Sequence, residues 1–200
     1  MREEHTQKNL DLPIEKLDNL KGHLVYLALG TLVSTQLNLM QSVMDKVAHV
    51  KHRFIVSKGT CGDDLKMPPN CVGGNFLPQT QMLQIVDVFV SHGGNNSFLE
   101  GLHFGTPMVI MPGFADQFDN ATHLEEKDLG KKLSLISFTS QQLEEAIDDL
   151  VSDDVRLTKI RNISERCKNA DSVNRACDLI EQSFHQLQKR KAAKENATQN

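Results

Sequence analysis

Between residues 76 and 117 the chain concentrates side chains suited to holding a phosphorylated polyol. An apolar, β-branched run, Ile85-Val86-Asp87-Val88-Phe89-Val90-Ser91, stops at His92, and Gly93-Gly94-Asn95-Asn96-Ser97-Phe98-Leu99-Glu100 follows, with Asp116-Gln117 further on. Gly93 and Gly94 permit backbone conformations and close approaches that a side chain blocks. Asn95, Asn96 and Ser97 are good N-cap residues for a helix packed through Phe98, Leu99 and Leu102. Such a helix start presents free N–H groups and the positive end of its dipole, so an anion such as a diphosphate can bind there without a lysine. Glu100 lies three residues beyond Ser97, on the same helix face and about 4.5 Å further along the axis. A carboxylate there can accept hydrogen bonds from two vicinal hydroxyls. Ser97 to Glu100 also fit a capping box, in which serine and glutamate satisfy amides at the helix start with no ligand present. His92 can donate an N–H to a phosphate oxygen in either charge state, although a lone histidine equally fits a structural role. Asp116 beside Gln117 supplies acceptors and donors for a polyol, although a lone Asp116 equally fits a helix N-cap.

With His92, Asn96, Ser97, Glu100, Gly105, Pro107, Pro112, Asp116 and Gln117 in register, the segment resembles the signature of the UDP-glycosyltransferases, the family-1 enzymes of GT-B fold. Upstream, Phe76-Leu77-Pro78-Gln79 resembles the family's Trp-x-Pro-Gln element, and Leu27-Ala28-Leu29-Gly30-Thr31 looks like the Gly-Ser/Thr turn that opens its C-terminal domain. Downstream the likeness runs through Asn120-Ala121, and in all it spans about residues 20 to 185. The short spacing from Gln79 to His92 looks like the bacterial macrolide-glycosyltransferase branch. The resemblance implies that Phe76 and Gln79 hold uracil, Glu100 the ribose, and Thr31, His92, Gly94, Asn95, Asn96 and Ser97 the diphosphate. Asp116 and Gln117 would hold the transferred sugar, for which Gln117 points first to glucose, with glucuronate and N-acetylglucosamine as the alternatives. Two departures stand out: Phe76 replaces the usual Trp, keeping a stacking face but losing area and the indole donor, and Asn95 contributes only its backbone N–H.

The same resemblance implies a donor-binding half of an inverting enzyme that moves a hexose from UDP to a hydroxyl of a small lipophilic acceptor. The acceptor and the catalytic base would belong to an N-terminal domain or partner subunit, so no catalytic residue is assigned in this chain, and no metal or other cofactor is required. A stand-alone UDP-sugar-binding module without turnover is the alternative from another class. A GT-B epimerase is disfavoured by the context of Asp116-Gln117.

These side chains need a scaffold. Strands near 23–29, 51–57, 71–76, 86–91, 107–111 and 133–137 alternate with helices near 35–49, 79–84, 95–104 and 117–129, which predicts an α/β fold: a doubly wound parallel sheet, Rossmann-like, with C-terminal helices. Ligands of such sheets bind at the carboxyl ends of the strands, where Gly30-Thr31, Phe76, His92 and 112–117 would all lie. Residues 1–22 read as a linker with a short helix, 23–188 as the nucleotide-sugar-binding domain and 189–200 as a polar tail. From Ser140 on the pattern is helical, with one stripe of Leu143, Ile147 and Leu150 and another of Val173, Ala176, Cys177, Ile180, Phe184 and Leu187. Packing against the domain's own sheet is expected to account for most of both, while the family resemblance, in which the last helix crosses to the other domain, implies a partner for part of the second stripe.

Composition narrows the classes. A net charge of −4 argues against a nucleic-acid surface. Neither GxGxxG nor GxxxxGK[ST] occurs, so dinucleotide and P-loop readings find no support. The four cysteines, 61, 71, 167 and 177, show neither zinc-ligand spacing nor a disulfide framework, although Cys61 and Cys71 flank a loop and are the two that can pair. Reduced thiols, the lack of an apolar signal at residues 1–5 and the lack of a membrane-length apolar window lead to the expectation of a cytoplasmic protein.

Overall fold

The computed structural model describes residues 12–198, with side chains described through residue 189. Residues 1–11 of the expected linker and most side chains of the expected tail lie outside that range. The chain divides into two compact units, Met1–Glu165 and Arg166–Asn200.

In the first unit six strands, β1 (Leu24–Ala28), β2 (Arg53–Ser57), β3 (Cys71–Gly74), β4 (Val88–Ser91), β5 (Met108–Ile110) and β6 (Gly130–Lys132), form one sheet in the order β3-β2-β1-β4-β5-β6. All pairings are parallel. The expected doubly wound α/β fold is therefore present. Successive strand residues point to opposite faces, which is why the strands read as continuous apolar runs. Val25, Leu27, Phe54, Val56, Val88, Val90 and Val109 face α2 (Leu37–Val47) and α6 (Ser140–Ser152), meeting Met40, Val43 and Met44 and the expected stripe of Leu143, Ile147 and Leu150. Tyr26, Ile55, Phe89, Met108 and Ile110 face the other way, toward Met82 of α3 (Gln79–Met82), Phe98 of α4 (Asn95–Phe104) and Ala121 and Leu124 of α5 (Gln117–Glu126). Tyr26 and Phe89, side by side on β1 and β4, stack at 5.3 Å.

Several elements differ from the sequence expectation. The last strand is Gly130–Lys132, not 133–137: the ladder carries on only through Leu133 N–H to the Ile110 carbonyl (2.9 Å), after which Ser134 Oγ accepts from Ser137 N–H and turns the chain away. Apolar composition alone does not ensure strand where a local turn draws the chain away from its neighbour. A short helix, α1 (Gly30–Ser34), intervenes before α2. β4 starts at Val88 because the Asp87 carboxylate takes the Leu24 N–H at 2.8 Å, leaving Ile85 outside the sheet and exposed. α5 stops at Glu126, and Asp128 at φ +51 breaks the helical path. Buried Arg156, on α7 (Asp154–Asn169), binds Asp128 (2.9 Å) and Asp149 (2.7 Å) there.

Before β1, residues Ile14–Leu17 form a 3-10 turn whose Leu17 is fully buried. In the second unit, α8 (Ser172–Thr198) carries the expected apolar stripe, with Val173, Ile180, Phe184 and Leu187 exposed. Cys71 is buried at the start of β3, which pushes its thiol up to about 12, and all four cysteines are free. No helix among the described residues is long and apolar enough to cross a membrane.

At the amino ends of the strands, His52 is wholly buried and its Nδ1 accepts from the His23 N–H (3.1 Å), which fixes a neutral tautomer with Nε2 toward Asp148 (3.4 Å). Burial holds its pKa below 6.5, with His23 and Lys51 acting in the same sense and Asp148 and Glu144 against it. The unfolded histidine takes up a proton near pH 6.5 while the folded one resists, so stability is full above that pH and declines below it. Urea denaturation across pH 5 to 8 should show this decline, and His52→Gln should make it shallower.

Candidate functional site

β1 and β4 are neighbours whose following segments leave in opposite directions, toward β2 and toward β5. Such a switch point opens a crevice between the two carboxyl ends. The Ala28 and Ser91 ends are in register across it. His92 fills the space: a Cβ at Gly30 would lie 2.7 Å from His92 Nε2, and one at Gly94 would lie 2.5 Å from it. Two positions without side chains thus hold one imidazole between the β1 and β4 turns. Burial lowers the His92 pKa, opposed by the Ala28 carbonyl and by Asp116, and Nδ1 is buried without a hydrogen-bond partner. A neutral ring results, able to donate one N–H.

Gly94 is the N-cap of α4, and the first helical bond runs from Phe98 N–H to the Gly94 carbonyl (2.9 Å). The amides of Asn95, Asn96 and Ser97 precede that ladder, and no side chain caps them. The helix start therefore keeps its donors and dipole for an anion. The alternative capping box of Ser97 and Glu100 is not formed. Their side chains instead meet Gln79: its Nε2 donates to Ser97 Oγ (3.1 Å) and to Glu100 Oε2 (2.6 Å). The second is a short, charge-assisted bond. Residues expected to serve base, phosphate and ribose are thus joined through one amide. Phe76, beyond the end of β3, is 74% exposed and offers a bare aromatic face. Thr31 is exposed in the first turn of α1.

Asp116 and Gln117 are placed differently from one another. Asp116 is exposed at the N-cap of α5, and its carboxylate makes no capping bond. Gln117 is only 2% exposed, and its Oε1 accepts from Gly113 N–H (2.9 Å) and Phe114 N–H (3.2 Å). With its oxygen so engaged, the group it has to offer a ligand is its amide N–H₂. These bonds brace a loop in which Ala115 adopts φ +52, a conformation that costs about 1–2 kcal/mol for a residue with a side chain. Beyond Gly113 and Phe114 runs a groove of about 890 Å³, with Leu32, Phe114, Phe118, Leu135 and Ile136 among its walls.

The sequence reading left two features out. It gave Asn120 no role, yet Asn120 Nδ2 donates to the Gly93 carbonyl at 2.9 Å. Its place three residues after Gln117, on the same helical face, was the available signal. The pairing of Gln79 with Glu100 had none, because the two residues lie on separate elements.

The sequence profile of the family described as UDP-glucoronosyl and UDP-glucosyl transferase matches residues 5–179. The chain belongs to that family. An uncharacterized UDP-glucosyltransferase, YdhE, of Bacillus subtilis is 29% identical over 182 residues, covering 90% of this chain and 46% of its own length. The oleandomycin glycosyltransferase of Streptomyces antibioticus is 34% identical over 116 residues, covering 58% of this chain and 27% of its own. Among solved structures, the glycotransferase of kitacinnamycin superposes with a TM-score of 0.70 at 27% identity, over 80% of this chain and 43% of that one. The chain thus spans less than half the length of these relatives.

Gly94→Ala would drive a methyl group into His92 Nε2, so the ring must move. NMR titration of the His92 ring protons should show its pKa rising toward 6.5 in that variant as burial is lost, while His52 titrates as before.

Proposed function

We propose that this chain is the donor-binding half of an inverting UDP-glycosyltransferase, taking a UDP-hexose, best matched by UDP-glucose, whose sugar passes to a hydroxyl of a small lipophilic acceptor. The observation that carries the reading is the convergence, at one switch point, of the uncapped start of α4, the His92 ring, and Ser97 and Glu100 joined by Gln79. Phe76 supplies a stacking face for the base, Glu100 two acceptor oxygens for the ribose, and the amides of 95–97 with His92 the donors for the diphosphate. Asp116, exposed at the start of α5, and the amide N–H₂ of Gln117 are assigned to the sugar hydroxyls.

When the acceptor oxygen attacks the anomeric carbon from the side opposite the phosphate, the bond to the β-phosphate oxygen breaks and negative charge grows there. Donors already fixed at that point stabilise the leaving UDP without reorganisation, so the scheme needs no metal. Deprotonating the acceptor is assigned, as the family resemblance implies, to a base outside this chain, with His92 serving the phosphate end. Four free cysteines suit a reducing, cytoplasmic setting.

Titration calorimetry with UDP, UDP-glucose, uridine and ADP tests the reading. Selective binding of the uridine nucleotides is expected, and a folded chain that binds ADP as well as UDP would refute it. Glu100→Ala should weaken uridine and UDP alike. His92→Ala should spare uridine and weaken UDP about tenfold or more, the range expected for one hydrogen bond to a charged group. Equal losses for both ligands in both variants would mean that these residues are structural.

A further inference from the structure

The turn after β4 is held in place from α5, the helix that starts with Asp116 and Gln117. Gly93 adopts φ +81 and presents its carbonyl to Asn120 Nδ2 at 2.9 Å. Its own N–H donates to Ser91 Oγ at 3.1 Å, and Ser91 is fully buried. A Cβ at Gly93 would stand 2.5 Å from Ile110 Cγ2 and 3.5 Å from the Gln117 carbonyl oxygen, so the turn is wedged between the end of β5 and the first turn of α5. Asn120 is half-buried, and its backbone N–H binds the Asp116 carbonyl at 2.9 Å. On the same helix Gln117 grips Gly113 and Phe114. One helix therefore holds two loops, the one that leads into the free amides of α4 and the one that leads into Asp116.

We propose that Asn120 is a positioning residue for the UDP-sugar: through the Gly93 carbonyl it sets where the amides of 95–97 stand relative to Asp116 and Gln117, and so fixes the span between the diphosphate and the sugar. This rests on the donor-site reading given above. Few side chains meet the requirement. The group must be short enough to stay beside α5 and must donate, because its partner is a carbonyl oxygen. Aspartate has the same shape but no N–H, and sets a charged oxygen against that carbonyl. The base and ribose contacts, built from Phe76, Gln79 and Glu100, do not pass through this bond.

Asn120→Asp is the decisive variant. Calorimetry should show uridine affinity within about twofold of the wild type and UDP and UDP-glucose weakened about 5- to 10-fold, the range for one neutral hydrogen bond. UDP affinity equal to the wild type, or equal loss for uridine and UDP, would overturn the proposal. The wild-type chain gives a second test that needs no folded variant: in ¹H–¹⁵N spectra the Asn120 side-chain amide should shift on adding UDP and stay in place on adding uridine. Indifference to UDP would also overturn it. Failure of the wild-type chain to bind UDP at all would instead remove the donor-site reading, and the positioning role with it.

Discussion

The parallel pairing of β1 with β4 is the constraint on which the site depends. Because the chain leaves these neighbours in opposite directions, their carboxyl ends stay uncovered, and two glycine turns come close enough to hold His92 from either side. Neither turn has a role without the other. Gly30 belongs to the first crossover and Gly94 to a later one, and only sheet order makes them neighbours. The depressed His92 pKa follows from the same enclosure, since a ring packed between two backbones loses water that its charged form needs.

The proposed anion site has no lysine or arginine among its assigned residues. Its positive potential comes from the backbone, through the uncapped amides at the start of α4. Such donors are rigid, and holding them costs no side-chain entropy at the moment of binding. The cost appears in the scaffolding instead: Gln117 is buried to brace a loop that contains a strained Ala115, and Asn120 spends its amide on the Gly93 carbonyl. Gln79 plays the matching part on the other flank, linking α3 to Ser97 and Glu100 of α4. The acidic character of the chain as a whole is no obstacle, because the field that matters acts within a few ångströms of the turn.

Much of this was legible in the residues. The apolar runs of β1, β2 and β4 announced strands covered on both faces, and both cores are there. Asn95–Phe104 was delimited by its polar start and by Gly105, which ends the helix at φ +72. The reading failed where local pattern and context diverge. Residues 133–137 have the composition of a strand, yet the chain turns away from the sheet after Leu133.

By itself the sequence determined the alternation of strands and helices, the turns that only glycine can make and the helix start that can receive a phosphate, because each is encoded in a short stretch of chain. Tertiary structure alone decided that Ser97 and Glu100 form no capping box, by placing Gln79 against them. It also decided that Gln117 is buried, that Asn120 reaches Gly93, and that His92 stands between two turns. Each of these is a contact between elements far apart in the chain. Such contacts are set by strand order and crossover direction, which no local pattern of residues specifies.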